Sequence, residues 1–183
     1  MFNIRLETWL NLVRSLPLYV LVLTLLESII FFDIRGLLLF LVGMFSEVFN
    51  MLLKIIFKFL FYKYGTFKDN GYYLPLLGRG DRPRYAKDCS FFKNCDSINK
   101  FETSFGFPSG HSQFIMVFAS LLILFIYNKN KNWFSILSVL LLSILAVYTR
   151  IQIKCHTIQQ VIFGSLIGIG IGYGFFFLFE KYF

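Results

Sequence analysis

Three short fragments of this sequence carry side chains suited to phosphate chemistry. They are Gly80-Asp81-Arg82-Pro83-Arg84, Pro108-Ser109-Gly110-His111-Ser112, and Thr149-Arg150 with His156 six positions after the arginine. A guanidinium group binds phosphate oxygens through paired hydrogen bonds, and the backbone N–H groups at a helix start favour an anion. The chain has two histidines, enough for one nucleophile and one general acid. Together the fragments predict a phosphate-binding reactive site.

The composition indicates that membrane helices must position these fragments. The chain has 183 residues, of which 57% are hydrophobic and 20% aromatic, whereas only 15% are charged. One membrane-spanning helix needs about 20 mostly apolar residues, so this apolar content is enough for about five spans. The same composition excludes a water-soluble enzyme, a disordered tail and a secreted disulfide scaffold.

Five apolar runs predict an all-α integral membrane protein, a bundle of about five transmembrane helices in one domain, residues 1–183. The runs cover about 16–32, 37–62, 113–127, 133–149 and 157–179. Residues 1–14 mix apolar and charged positions, which predicts an amphipathic N-terminal helix on the membrane face. Residues 63–107 are rich in Gly, Asn and charges and predict an extramembrane loop. Gly164, Gly168 and Gly172 predict close helix packing.

Counting spans from the N-terminus places all three fragments at one membrane surface. In the second span Glu47, Asn50 and Lys54 stand at i, i+3 and i+7, so they share one helix face. Two interpretations of that face are open, because charges inside a membrane are costly and usually paired or functional. Either Glu47 and Lys54 pair with each other as opposite charges inside the bundle, or this helix face is directed at a polar substrate.

The charge balance indicates what the protein binds. There are 18 Lys+Arg against 10 Asp+Glu, a net charge of +8. The basic residues cluster beside apolar spans, which favours anionic lipid headgroups or phosphates as partners and argues against nucleic acid. Cys89, Cys95 and Cys155 form no metal-ligand pattern, so we expect no metal and no other cofactor. The sequence does not set an oligomeric state.

The joint pattern resembles the type 2 phosphatidic-acid phosphatase superfamily, whose signature is Lys-x6-Arg-Pro, Pro-Ser-Gly-His and Ser-Arg-x5-His-x3-Asp. Arg82-Pro83, Pro108 to His111, and Arg150-x5-His156 match it in order. Within the superfamily the closest likeness is to dolichyl-diphosphatases. That likeness rests on Glu47, Asn50 and Lys54, on Pro108 to Phe114, and on the run from His156 to Gly164.

The first motif departs from the superfamily pattern. Between Lys54 and Arg82 lie 27 residues where the superfamily has six. This spacing predicts an insertion of about 21 residues in the 63–107 loop, which also carries the first motif. Alternatively, another base takes the role of Lys54, and the candidates are Lys58 and Arg79.

The resemblance implies a metal-independent mechanism with a phosphohistidine intermediate. His156 would attack the terminal phosphorus, and His111 would protonate the leaving phosphate. Arg150 would complete the catalytic set, and the phosphate oxygens would be bound by Lys54, Arg82, Ser109 and Gly110. Gln160 stands where the superfamily has Asp and would orient the His156 ring, with Glu47 and Asn50 as further supporting residues.

Three functions are compatible with these residues. The resemblance implies a membrane hydrolase that converts dolichyl or another polyprenyl diphosphate to the monophosphate plus phosphate. The same residues also fit a phosphatase of phosphatidic acid or other lipid phosphates. The third alternative is a catalytically silent lipid-binding membrane protein of the same fold, against which the intact His111, Arg150 and His156 argue.

Two arguments give opposite orientations in the membrane. Eleven Lys and Arg outside the candidate site lie on the site side against four on the other, and the positive-inside rule would then place the site in the cytosol. The resemblance to dolichyl-diphosphatases implies the endoplasmic reticulum membrane, with the site in the lumen, where Cys89 and Cys95 could pair. We favour the lumen because an anionic substrate accounts for the basic residues and a loop of this length weakens the rule.

Overall fold

The computed structural model describes residues 2–84, 86, 89 and 105–180 of the protein. Five helices account for most of this part of the chain: α1 Phe2–Phe31, α2 Ile34–Tyr64, α3 Gly110–Lys129, α4 Trp133–Gln152 and α5 Ile158–Phe179. Three short strands lie between α2 and α3: β1 Thr66–Lys68, β2 Gly71–Leu74 and β3 Gly78–Arg79. The predicted helical membrane fold is confirmed.

Helices α2 to α5 are each long and apolar enough to cross a membrane. Many of their large apolar side chains are exposed, including Ile55 and Leu142, as expected for helices whose outer surface contacts lipid. Helix α1 runs unbroken from Phe2, so the predicted amphipathic segment and the first span form one helix. Its apolar part, Ser15–Phe31, is shorter than the other spans.

The centre of the bundle is the contact between α3 and α5, which the three predicted glycines permit. A side chain on Gly164 would collide with the carbonyl oxygen of Ser109, and one on Gly168 with that of Gln113. Gly172 lies in the same way against the Ser120 side chain. Small residues at this spacing let two backbones approach in lipid. The start of α3 is therefore held directly against the first half of α5.

A small antiparallel sheet carries the chain from the end of α2 to Arg82. Strand β2 is central and pairs with β1, where Thr66 faces Tyr73, and with β3, where Tyr73 faces Arg79. The sheet is fixed to α2 by the rings of Tyr62 and Tyr72, whose centroids lie 4.5 Å apart. This sheet within the predicted extramembrane loop was not predicted, because strands of two to four residues are too short to show an alternating pattern.

Candidate active site

A cavity of about 220 Å³ opens where the three sequence fragments meet. Its walls come from α2, from the chain after β3, from the start of α3 and from the turn between α4 and α5. The lining residues are Glu47, Asn50, Met51, Lys54, Arg82, Cys89, Gly110, His111 and His156. The remaining predicted site residues, Ser109, Arg150 and Gln160, are fully buried and do not line the cavity.

The α2 wall is held against α3 by a buried hydrogen-bond network. The Asn50 side-chain amide donates to Gln113 Oε1 at 2.9 Å. The Gln113 amide in turn donates to the Ser46 carbonyl oxygen at 2.8 Å and to its hydroxyl at 3.2 Å. A Cβ on Gly110 would lie 2.8 Å from Asn50 Oδ1, so a larger residue there would displace the Asn50 amide from this network. The network thus fixes the face that carries Glu47 and Lys54.

Lys54 lies in the cavity with Arg82 despite the long separation in sequence. The two alternative bases are placed elsewhere. Lys58 lies over the ring of Tyr62, with its Nζ 5.6 Å from the centroid. Arg79 donates to the carbonyl oxygen of Asn70 at 3.2 Å, within the sheet. The geometry therefore favours Lys54 as the motif base and the sheet as the insertion.

Ser109 begins helix α3 as its N-cap. Its hydroxyl accepts a hydrogen bond from the Ser112 backbone N–H at 3.4 Å and lies 2.9 Å from the Ser112 hydroxyl. Its own backbone N–H donates to the Gln160 carbonyl oxygen at 3.0 Å. These bonds place Gly110 and His111 at the cavity wall, where the positive end of the helix dipole favours an anion. Phosphate binding by the Ser109 hydroxyl itself stays a prediction.

The His156 ring is oriented by Gln160, one turn later. His156 Nδ1 lies 3.1 Å from Gln160 Oε1. The Gln160 amide nitrogen donates to the carbonyl oxygens of Arg79 at 2.8 Å and Asp81 at 2.9 Å, so its oxygen must face the histidine. An amide oxygen only accepts, so Nδ1 carries the proton and Nε2 keeps its lone pair. That tautomer is the one a histidine nucleophile requires.

The surroundings of His156 keep its ring neutral. Burial lowers the pKa of His156 well below the ordinary value, because a charged ring loses its hydration there. The positive charges of Arg82, Arg150 and Lys54 lower the pKa further, and His111 does so as well. The ring is therefore unprotonated at neutral pH and available for attack on an electrophile.

Arg150 lies behind the cavity, fully buried. Its Nη2 donates to the carbonyl oxygen of Cys89 at 3.0 Å. Its own carbonyl oxygen accepts hydrogen bonds from the backbone N–H groups of Cys155 at 3.2 Å and His156 at 3.3 Å. Arg150 therefore connects the chain after Arg82 to the turn that carries His156.

Cys89 forms a disulfide with Cys155, and their Cα atoms lie 5.5 Å apart. The predicted pairing of Cys89 with Cys95 was wrong, and Cys95 lies outside the described residues. The fold instead brings together two residues separated by 66 positions.

Sequence reasoning did not single out three residues that shape the site. Gln113 and Ser46 complete the network of Asn50. Ser46 and Asn50 are four positions apart on α2, so a helical projection would have shown their common face. Gly106 packs against the Gln160 side chain, where a Cβ would lie 2.8 Å from Oε1. A glycine in a loop carries no such signal before the fold is known.

The charged groups around the cavity are mainly cations. In the part of the chain that the structure describes, no group of three or more His, Cys, Asp or Glu side chains could hold a metal ion. Lys54, Arg82 and the buried Arg150 are instead grouped around His156, which matches the charge of a phosphate.

Comparison with curated proteins finds relatives among lipid phosphatases. The chain is 43% identical over 77 residues to dolichyldiphosphatase 1 of Dictyostelium discoideum, covering 38% of this chain and 34% of that protein. It is 35% identical over 78 residues to dolichyldiphosphatase 1 of Homo sapiens, covering 36% of this chain and 33% of that protein. It is 30% identical over 95 residues to lipid phosphate phosphatase gamma of Arabidopsis thaliana, covering 48% and 39%.

These matches span little more than a third of the relatives' lengths. No solved structure matches the chain. The family model of the PAP2 superfamily matches residues 35–183, a range that contains every residue of the cavity described above. The chain belongs to the PAP2 superfamily.

Proposed function

We propose that the protein is an integral-membrane hydrolase of a polyprenyl diphosphate, such as dolichyl diphosphate, and that residues 1–183 act as one domain. The products are the polyprenyl monophosphate and phosphate. The observation that carries the proposal is the cavity in which both histidines lie with Lys54 and Arg82. Two of the relatives named above are dolichyldiphosphatases, which supports the diphosphate over a monoester.

His156 is the nucleophile in this proposal. Its Nε2 lone pair attacks the terminal phosphorus, and the bond from that phosphorus to the bridging oxygen breaks. The leaving polyprenyl phosphate takes a proton from His111, the second histidine of the cavity. A water molecule then gives a proton to His111 while its oxygen attacks the phosphorus, and the phosphorus–nitrogen bond breaks to release phosphate and the neutral His156 ring.

The cations supply the charge compensation for this step. Lys54 and Arg82 reach the cavity directly, while Arg150 acts from behind the His156 turn. The backbone N–H of Gly110, at the start of α3, adds a donor along the helix axis. Fixed cations and N–H groups stabilise the negative charge that shifts between phosphate oxygens in the transition state. We therefore propose a reaction that needs no metal.

Met51 joins the cavity to the outer surface of α2. Met51 lines the cavity, and 60% of its surface is exposed on a helix that crosses the membrane. A substrate whose phosphate lies in the cavity can therefore leave its apolar chain in the bilayer. This arrangement supports a lipid substrate over a soluble phosphate.

We propose that the protein resides in the endoplasmic reticulum membrane with the cavity on the lumenal side. The disulfide between Cys89 and Cys155 supports this side, because disulfides persist in the oxidising lumen and are rare in the cytosol. The positive-inside rule opposes this side, but the long segment between α2 and α3 weakens the rule.

A lipid phosphate phosphatase acting on phosphatidic acid is the second candidate, favoured by the likeness to lipid phosphate phosphatase gamma. Phosphate release from polyprenyl diphosphate and from phosphatidic acid, measured on the same purified protein, tests both. We expect the larger kcat/KM for the diphosphate and none for His156→Ala. A preference for phosphatidic acid would select the second candidate, and no release from either lipid would contradict both.

A further inference from the structure

The disulfide lies inside the candidate active site and joins two of its walls. Cys89 lines the cavity, and Cys155 is the residue immediately before His156. Both cysteines are buried, in a small apolar cluster with Ala86 and Ile153. The bond therefore connects the chain that follows Arg82 to the turn that carries the nucleophile.

Arg150 is held on two sides by the residues that the disulfide joins. Its guanidinium donates to the Cys89 carbonyl oxygen at 3.0 Å. Its carbonyl oxygen accepts from the N–H groups of Cys155 at 3.2 Å and His156 at 3.3 Å. The disulfide thus fixes the Cys89 backbone relative to Cys155, and the Cys89 carbonyl oxygen in turn holds the Arg150 guanidinium in position.

We propose that the Cys89–Cys155 disulfide is a positioning element that holds Arg150 and His156 in their reactive arrangement, so that full activity requires this bond. The inference rests on the proposed function. Reduction by dithiothreitol breaks the sulfur–sulfur bond and forms two thiols. The reagent supplies two electrons and two protons and is itself oxidised to a cyclic disulfide.

Two consequences separate this role from simple bracing of the fold. The cavity keeps Lys54 and Arg82 after reduction, so substrate binding and KM change little, whereas kcat falls because the nucleophile is no longer fixed. A misplacement on the order of 1 Å costs about 100-fold in rate, so we expect a loss of about 10- to 100-fold.

The second consequence concerns the pH profile. The charged and titratable groups facing His156 are Lys54 and Glu47 of α2, Arg82, His111 of α3, and Arg150 of α4. When the Arg150 guanidinium moves away, its share of the positive field at His156 is lost and the pKa of His156 rises. The acidic limb of kcat/KM should then move to higher pH, although burial and the other cations still hold the pKa below the ordinary value.

The experiment compares oxidised and reduced forms of the whole protein in detergent. Free thiols are titrated while phosphate release and helical circular dichroism are followed, and reoxidation of the same sample must restore kcat. Cys95→Ser is the control, since it keeps the disulfide and should lose activity on reduction as the wild type does. The double variant C89S/C155S should be as slow as the reduced wild type and insensitive to dithiothreitol.

The outcomes distinguish the two proposals. Equal kcat, within twofold, in oxidised and fully reduced protein would overturn the positioning role, as would a loss of activity that accompanies loss of helical structure. An oxidised wild type that releases no phosphate from any lipid or aryl phosphate would instead contradict the proposed function. If the double variant does not fold, reduction and reoxidation of the wild type still test whether kcat depends on the disulfide.

Discussion

The substitution Gln160→Glu tests the arrangement around His156 most sharply. In the structure the Gln160 amide nitrogen donates to the carbonyl oxygens of Arg79 and Asp81, and its oxygen lies 3.1 Å from His156 Nδ1. A glutamate keeps the size but replaces the donor with an oxygen. If the role of this position were only to activate His156, a carboxylate would serve better, because it stabilises an imidazolium. The observed contacts predict the opposite result.

The magnitude follows from the two lost hydrogen bonds. Each buried carbonyl oxygen that loses its donor costs about 1–3 kcal/mol. If the new carboxyl group takes up a proton, its O–H can satisfy one of the two carbonyl oxygens, which sets the lower limit. We therefore expect the free energy of unfolding to fall by about 1–3 kcal/mol when the carboxyl group is protonated and by about 2–6 kcal/mol when it is charged. The 79–81 segment that leads to Arg82 should also move, and kcat/KM should fall by about 100-fold.

The assay measures phosphate release and thermal unfolding in detergent for Gln160→Glu beside Gln159→Glu. Gln159 is the exposed neighbour on the same helix turn, so its variant should stay within about 0.5 kcal/mol of the wild type. A Gln160→Glu protein with unchanged or higher kcat/KM and an unchanged melting temperature would refute the reasoning. It would show that the contacts to Arg79 and Asp81 are dispensable.

Three further predictions concern the same site. Lys54→Ala should reduce phosphate release by about 100-fold, because Lys54 lines the cavity and Lys58 and Arg79 do not. Lys58→Ala and Arg79→Ala should reduce it far less. Full activity of Lys54→Ala together with an inactive Arg79→Ala would show that the insertion moved the motif. Turnover should survive EDTA, since cationic side chains compensate the phosphate charge; loss in EDTA with rescue by magnesium would contradict this. The pKa of His156 is lowered, so its ring gains a proton only in acid. We therefore expect kcat/KM for an activated aryl phosphate to stay level as the pH falls to about 6.5 and to decline only at lower pH. A decline that begins above pH 7 would contradict a neutral ring.

The helical bundle, and the grouping of its loops on two membrane surfaces, follow from the sequence because few backbone structures can cross a bilayer. Runs of about 20 apolar residues must form helices in lipid, and an odd or even number of crossings fixes which loops share a surface. The packing of Gly164 and Gly168 against α3 follows from the same rules. The sheet of residues 66–79 does not, since its strands are short and depend on contacts with Tyr62 and Asp81.

Some features of the candidate site were likewise predictable from the sequence, and others were not. Residue types and spacing bring Glu47, Asn50, Lys54 and the two histidines to one surface, and the structure places all five in the lining of one cavity. The disulfide partner of Cys89 was not predictable, and neither were the hydrogen bonds from the Gln160 amide nitrogen to the carbonyl oxygens of Arg79 and Asp81. Both depend on contacts between segments 66 and about 80 positions apart, and pairwise distances of that kind leave no periodic trace in a sequence.

The most direct test of the account is to trap the phosphoenzyme with an activated aryl phosphate, which needs little proton donation from an acid. Acid-labile, base-stable phosphate should appear on the wild type and, at a lower level, on His111→Ala, and it should be absent from His156→Ala. The same phosphate on His156→Ala but not on His111→Ala would show that the two histidines have the opposite roles. Its absence from all three proteins, while the wild type still releases phosphate, would contradict the covalent mechanism.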